Sequence, residues 1–178
     1  MSLTYETAKK MTKDEAKEAF KKLFEEQTIL CEAQGWGDPN SYARGREIYA
    51  ACALGHDIAD DYSGADAYDH LGPAEYKSTI GKKVKGSYTG ISVHPTWKEQ
   101  LHYLENKKIA CYPNHYYNRF DGGTLAEVYT LPGKTVLDLL VPKLRKKYDP
   151  SNLSNKKDPR LSADITYTDL MNHGTKVL

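Results

Sequence analysis

The stretch Gly72-Pro73-Ala74-Glu75-Tyr76-Lys77-Ser78-Thr79-Ile80-Gly81, with Lys82-Lys83-Val84-Lys85 behind it, decides how the chain reads. Runs of β-formers punctuated by Gly72-Pro73 and Gly81 predict one strand over residues 74–80 and another over 84–93, joined by a lysine turn. Side chains alternate faces along a strand, so Glu75 and Lys77 project to one side and Tyr76 to the other.

Upstream, residues 56–69 are acidic, turn-rich and extended. If the Gly72-Pro73 turn folds Asp66 back beside Glu75, two carboxylates and the Tyr76 main-chain carbonyl converge. Hard oxygen donors of this kind suit Mg²⁺, which keeps several of its waters. Lys77, alongside, can orient or help deprotonate such a water, or stabilise charge building on a phosphate. That is equipment for hydrolysing a phosphodiester. Acid-x-Lys alone is a weak signal. It recurs at Glu15-Ala16-Lys17 and Glu105-Asn106-Lys107, where predicted exposed helices make it ordinary surface chemistry. The competing reading of Glu75 and Lys77 is a solvated pair on a surface strand.

Further outward, residues 12–34 read as a helix opened by a Thr12/Glu15 capping box and followed by Gly35, with Ala16, Phe20, Leu23, Phe24 and Leu30 on one apolar face. A second helix runs from Ser41 or Ala43 to Leu54 and is closed by Gly55. Thr96 and Glu99 form another capping box, for a helix to about Asn106. Residues 108–113 and 125–131 read as strands around the turn Asp121-Gly122-Gly123. Residues 135–148 read as a helix broken or restarted at Pro142, 149–164 as a long polar loop, and 165–178 as a short strand or cover. The order predicts an α/β (α+β) fold, a mixed central β-sheet flanked by helices, in a single domain over residues 1–178.

The chain has 178 residues, 39% of them hydrophobic and 28% charged, as expected of a globular protein. No apolar run approaches the roughly 18 residues that a membrane span needs. The lysine-rich start has no apolar stretch behind it, so no membrane partner is expected. Cys31, Cys52 and Cys111 show neither Cys-x-x-Cys nor zinc-ligand spacing, which points to a reducing cytoplasm, and the apolar run around Cys52 predicts a core thiol. The net charge of +1 conceals a split: residues 1–75 hold 15 acids and 8 bases, whereas residues 76–178 hold 9 acids and 17 bases. Such asymmetry predicts a basic surface on one part and an acidic cluster on another, unless the charges are merely scattered solvated faces.

Gly64-Ala65-Asp66-Ala67-Tyr68-Asp69, then Gly72 and Glu75-Tyr76-Lys77-Ser78, resembles the active-site stretch of the PD-(D/E)xK nucleases, and within them the small homodimeric type II restriction endonucleases. The likeness continues through the helix at residues 46–54, the element order of 95–131 and the closing Met171-Asn172-His173-Gly174-Thr175-Lys176-Val177, some two-thirds of the chain. The resemblance implies a restriction-endonuclease-like core and metal binding by Asp66, Glu75 and the Tyr76 carbonyl. It further implies catalysis by Asp66, Glu75 and Lys77, and a homodimer to which the helical segment 1–40 contributes. It departs at Thr89-Gly90-Ile91-Ser92-Val93-His94-Pro95, where the similar enzyme has a histidine-rich stretch that reads bases. Cleavage chemistry therefore carries over, and the recognition sequence does not.

Double-stranded DNA is the expected partner. Lys82, Lys83 and Lys85 follow Lys77 at once, and Arg145, Lys146, Lys147, Lys156, Lys157 and Arg160 cluster later; such residues hold phosphates without reading sequence. Ser87, Thr89, Ser92 and His94 are candidates for reaching base edges, although each hydroxyl equally suits a bond within the sheet, and His94 before Pro95 equally suits the end of a strand. The expected activity is that of a Mg²⁺-dependent type II restriction endonuclease cutting both strands at a short palindrome. The alternatives are a phage or repair nuclease recognising structure or damage, and a DNA-binding protein without catalysis.

Overall fold

The computed structural model describes residues 3–60, 64–155 and 158–178. α1 (Tyr5–Lys9), which the sequence does not announce, is capped reciprocally by Thr4 and Thr7 where Glu or Gln is the usual third-position partner. α2 (Lys13–Gln34) opens on the expected Thr12/Glu15 box, with Thr12 N–H donating to Glu15 Oε2 at 2.7 Å, and closes on Gly35 at φ 73°. Its apolar stripe stays outside the core: Phe20 is 70% exposed, and Cys31 is the residue that the helix buries. α3 (Arg44–Leu54) ends at Gly55 and buries Ile48, Ala50 and Ala51. Cys52 is exposed, which corrects its assignment to the core. One helical step of about 100° carries it past the sheet-facing edge that Ala51 occupies.

β1 (Asp57–Ile58), β2 (Ala67–Asp69) and β3 (Gly72–Thr79) follow, then β4 (Gly86–Ser92), α4 (Trp97–Tyr103) and a π-helical turn, Leu104–Lys108. The strand expected at residues 108–113 is instead the exit from that turn, with Ile109 N–H on the Leu104 carbonyl and Tyr112 N–H on the Ile109 carbonyl. The pairing strand is β5 (Asn114–Asp121), which forms a hairpin with β6 (Thr124–Pro132). α5 (Gly133–Lys147) runs unbroken through Pro142. Beyond α6 (Asn152–Asn155), the stretch expected to be loop contains β7 (Arg160–Ile165), and the chain closes with α7 (Tyr167–His173) and β8 (Thr175–Lys176). Lys156 and Lys157 lie outside the described residues.

Among the described residues, the mixed sheet has the order β1-β2-β3-β5-β6-β8, with β3 and β5 parallel and the other pairs antiparallel. β4 and β7 form a separate antiparallel pair with a bulge between Tyr88 and Ile91, where Gly90 takes φ 66°. The larger core packs Leu137, Leu140 and Leu144 of α5 with Ile91, Tyr117, Leu131 and Ile165. The smaller joins α3 to the other sheet face through Ala50, Ala51, Ala67, Ala74, Tyr76 and Tyr116. Four alanines there let the helix lie close to the strands, which brings the first turns of α3 over β3.

Candidate active site

β2 covers only the start of β3, pairing Ala67 with Ala74 and Asp69 with Gly72. Beyond Ala74 that edge of β3 is taken by Asp66, just ahead of β2. Its own N–H donates to the Ala74 carbonyl at 3.0 Å, and its Oδ2 accepts the Tyr76 N–H at 2.6 Å. N–H and C=O of one strand residue face the same edge, so the Tyr76 carbonyl opens there too. The Tyr76 ring turns the opposite way into the α3 core, and its hydroxyl lies 2.6 Å from His56 Nδ1. Glu75 and Lys77 form an ion pair.

The hairpin thus gathers Asp66, Glu75, Tyr76 and Lys77 around a cavity of about 330 Å³, whose lining also includes Glu47, Lys85 and Ser87. Glu47, from α3, is the functional candidate absent from the sequence reading. Its signal lay in helical spacing: it sits four residues before Ala51, which is fully buried, so the carboxylate had to face the sheet side. Glu47 pairs with Arg44 Nη1 at 3.7 Å. The buried Arg44 guanidinium also donates from Nε to the Trp36 carbonyl at 2.8 Å and from Nη2 to the Ala59 carbonyl, tying α3 to the loops beside the site.

Three half-buried acids share this space with Lys77. Burial, then Glu75 and Glu47, push the Asp66 carboxyl up to about 7, against the opposing pull of Lys77 and the Tyr76 N–H. Burial likewise raises Glu47, with Arg44 and Lys77 countering. A carboxyl lifted by its neighbours is one that a cation would relieve. Among the described residues, no group of three or more His, Cys, Asp or Glu is gathered closely enough to hold a metal ion. Mg²⁺ asks for less: one or two carboxylates, with waters filling the other positions. Asp66, Glu75 and the Tyr76 carbonyl fit that demand.

The expected DNA contacts divide. Lys85 lines the cavity, Lys82 is exposed, and Lys83 lies over the Tyr167 ring at 5.5 Å. Thr89 is exposed on the outer face of β4, and Ser92 Oγ accepts from Arg160 Nη1 at 2.7 Å. His94 is not brought to the carboxylates. Its ring packs on Tyr103 in another cavity of about 620 Å³ lined by Thr96, Lys98, Glu99, His102 and Lys107. No known family model matches the chain, and no curated protein matches it significantly.

Proposed function

We propose that the chain is a Mg²⁺-dependent type II restriction endonuclease of the PD-(D/E)xK kind, hydrolysing phosphodiester bonds in both strands of double-stranded DNA at a short palindromic site. The observation that carries this reading is the hairpin: Asp66, Glu75, Tyr76 and Lys77 border one cavity, and burial, with the company of other acids, lifts the Asp66 carboxyl. When bound, Mg²⁺ would supply Lewis acidity and a more acidic water. Asp66, Glu75 and the Tyr76 carbonyl would hold it. Lys77, beside Glu75, orients the attacking water and meets the charge that builds on the scissile phosphate. Lys82, Lys83 and Lys85 grip neighbouring phosphates, and Thr89 and Ser92 face the base edges.

A palindromic target has two-fold symmetry, which a homodimer matches. The apolar stripe of α2 supports such a dimer, since Phe20, Leu23, Phe24 and Leu30 lie in solvent along one helix. No described helix is long and apolar enough to cross a membrane, and three free thiols agree with a cytoplasmic setting.

The test is phage DNA incubated with Mg²⁺ and, separately, with EDTA. Discrete fragments only with Mg²⁺ are expected; smearing or branch-specific cutting would favour a structure-recognising nuclease, and salt-sensitive binding without cleavage a non-catalytic protein. Lys77→Ala should lower cleavage by about 10²-fold or more while Ca²⁺-supported DNA binding persists. Normal cutting by that variant would sink the assignment.

A further inference from the structure

Lys77 leaves β3 on the face opposite the Tyr76 ring, and the surface it meets there is aromatic. Its Nζ stands 5.0 Å from the centroid of the Tyr88 ring. Tyr88 is 2% exposed on β4, and its hydroxyl lies between two buried groups, 2.7 Å from His115 Nδ1 and 2.8 Å from the Tyr117 oxygen. His115 Nε2 is 2.9 Å from the Ile109 carbonyl oxygen.

One main-chain oxygen orders the whole chain. A carbonyl only accepts, so Nε2 of His115 carries the proton, and burial keeps the ring neutral, leaving Nδ1 to accept. The Tyr88 hydroxyl therefore donates to His115 and accepts from Tyr117. With both bonds made, the ring of Tyr88 has a single orientation. Gly86 marks how tightly this floor is built. A Cβ at that position would stand 2.4 Å from the Tyr117 ring and 3.0 Å from Lys77 Cγ, so β4 runs bare where the lysine stem passes the aromatic ring.

We propose that Tyr88 is a positioning residue for Lys77, its locked ring holding the ammonium group at the mouth of the cavity by a cation–π contact. Lys77 has two restraints of different kinds. The ion pair with Glu75 is one that any cation bound by Glu75 weakens. The ring face involves no carboxylate, so it keeps its hold when Glu75 turns to a metal. Tyr88 thus delivers Lys77 to the phosphate at the stage when its acidic partner is otherwise engaged. The contact itself stands on the geometry; the catalytic consequence rests on the nuclease assignment.

Two measurements separate these layers. In protein labelled at the lysine ε-carbon, the Lys77 methylene, identified by its loss in Lys77→Met, should resonate upfield of solvent-facing lysines such as Lys82 from the Tyr88 ring current. Tyr88→Phe, which keeps the ring, should keep that shift and lose at most about threefold in single-turnover cleavage. Tyr88→Leu should abolish the shift and slow cleavage by about tenfold, with Ca²⁺-supported DNA affinity within about twofold of the wild type. A folded Leu variant that cleaves at the wild-type rate overturns the proposal. So does a wild-type Lys77 resonance among those of solvent-facing lysines such as Lys82, which decides the matter even if the Leu variant does not fold. A wild type that cuts no DNA with any divalent metal would overturn the nuclease assignment instead, leaving the resonance to judge the contact.

Discussion

At Asp66, burial and two neighbouring acids act against the Lys77 ammonium group and the Tyr76 N–H, and the carboxyl rises to about 7. An unfolded aspartate titrates near about 4, so the metal-free fold binds this proton more tightly than the unfolded chain does. Its stabilising contribution is complete below pH of about 4 and is lost as pH rises through about 7. Asp66→Asn, which keeps an oxygen for the Tyr76 N–H, should therefore be more stable than the wild type at pH 8 without metal, an advantage that disappears towards pH 4. Urea midpoints across that range would show it, and identical slopes for the two proteins would refute the pile-up of charge. Mg²⁺ at pH 8 should raise the wild-type midpoint and leave that of Asp66→Asn nearly unmoved. Glu47→Gln should move the pH at which stability falls to lower values, because one of the two acids repelling Asp66 is gone. Asp66, Glu75 and Lys77 were legible because they lie within one short hairpin, where alternation and a single turn dictate their meeting. Glu47 was harder to find because it arrives from α3, and helical spacing alone does not say which strand lies beneath.

Among the elements, local chemistry marked the starts of α2 and α4 well. The Thr12/Glu15 and Thr96/Glu99 boxes form as the sequence implies, since both partners lie within one turn. Signals that depend on distant partners were weaker. In β7, Leu161, Ala163 and Ile165 alternate with Ser162 and Asp164 in strand period, but the partner strand begins at Gly86, and the surrounding Asp, Asn, Ser and Pro read as loop. Pro142 costs α5 a hydrogen bond, on the order of 3 kcal/mol in a helix interior. Burial of Val136, Leu137, Leu140 and Leu144 more than offsets this, so the helix continues. α5 also depends on its first residue. A Cβ on Gly133 would stand 2.0 Å from the Tyr112 carbonyl oxygen, a backbone atom that cannot rotate away. Gly133→Ala should destabilise the fold by about 1–3 kcal/mol in urea titration, by overpacking this junction. An unchanged midpoint would mean that the turn at residues 109–113 yields easily.

At the scale of the molecule, two surfaces invite measurement. If the proposed dimer forms through the stripe on α2, Phe20→Glu together with Leu23→Glu should yield a monomer in sedimentation, since two charges would replace exposed apolar side chains. A wild type that already sediments as a monomer would remove the stripe from any account of assembly. The lysines after β3 predict salt-steep DNA binding, with log affinity falling by about 0.9 per phosphate contact for each tenfold rise in salt. Replacing Lys82, Lys83 and Lys85 by alanine should flatten that dependence by up to about 3 contacts' worth and weaken binding uniformly across sequences. The hairpin with the carboxylates and the β4–β7 pair belong to different sheets, yet β4 touches both worlds through its pleat. Gly86, Tyr88 and Ile91 are buried, while Ser87, Thr89 and Gly90 face outward, the alternation slipping by one residue at the bulge. On the nuclease reading proposed above, neighbouring positions of this one strand would answer to different demands: Tyr88 is bound to what lies beneath it, whereas Thr89 is not, so substitutions at Thr89 should leave Lys77 and its aromatic support in place.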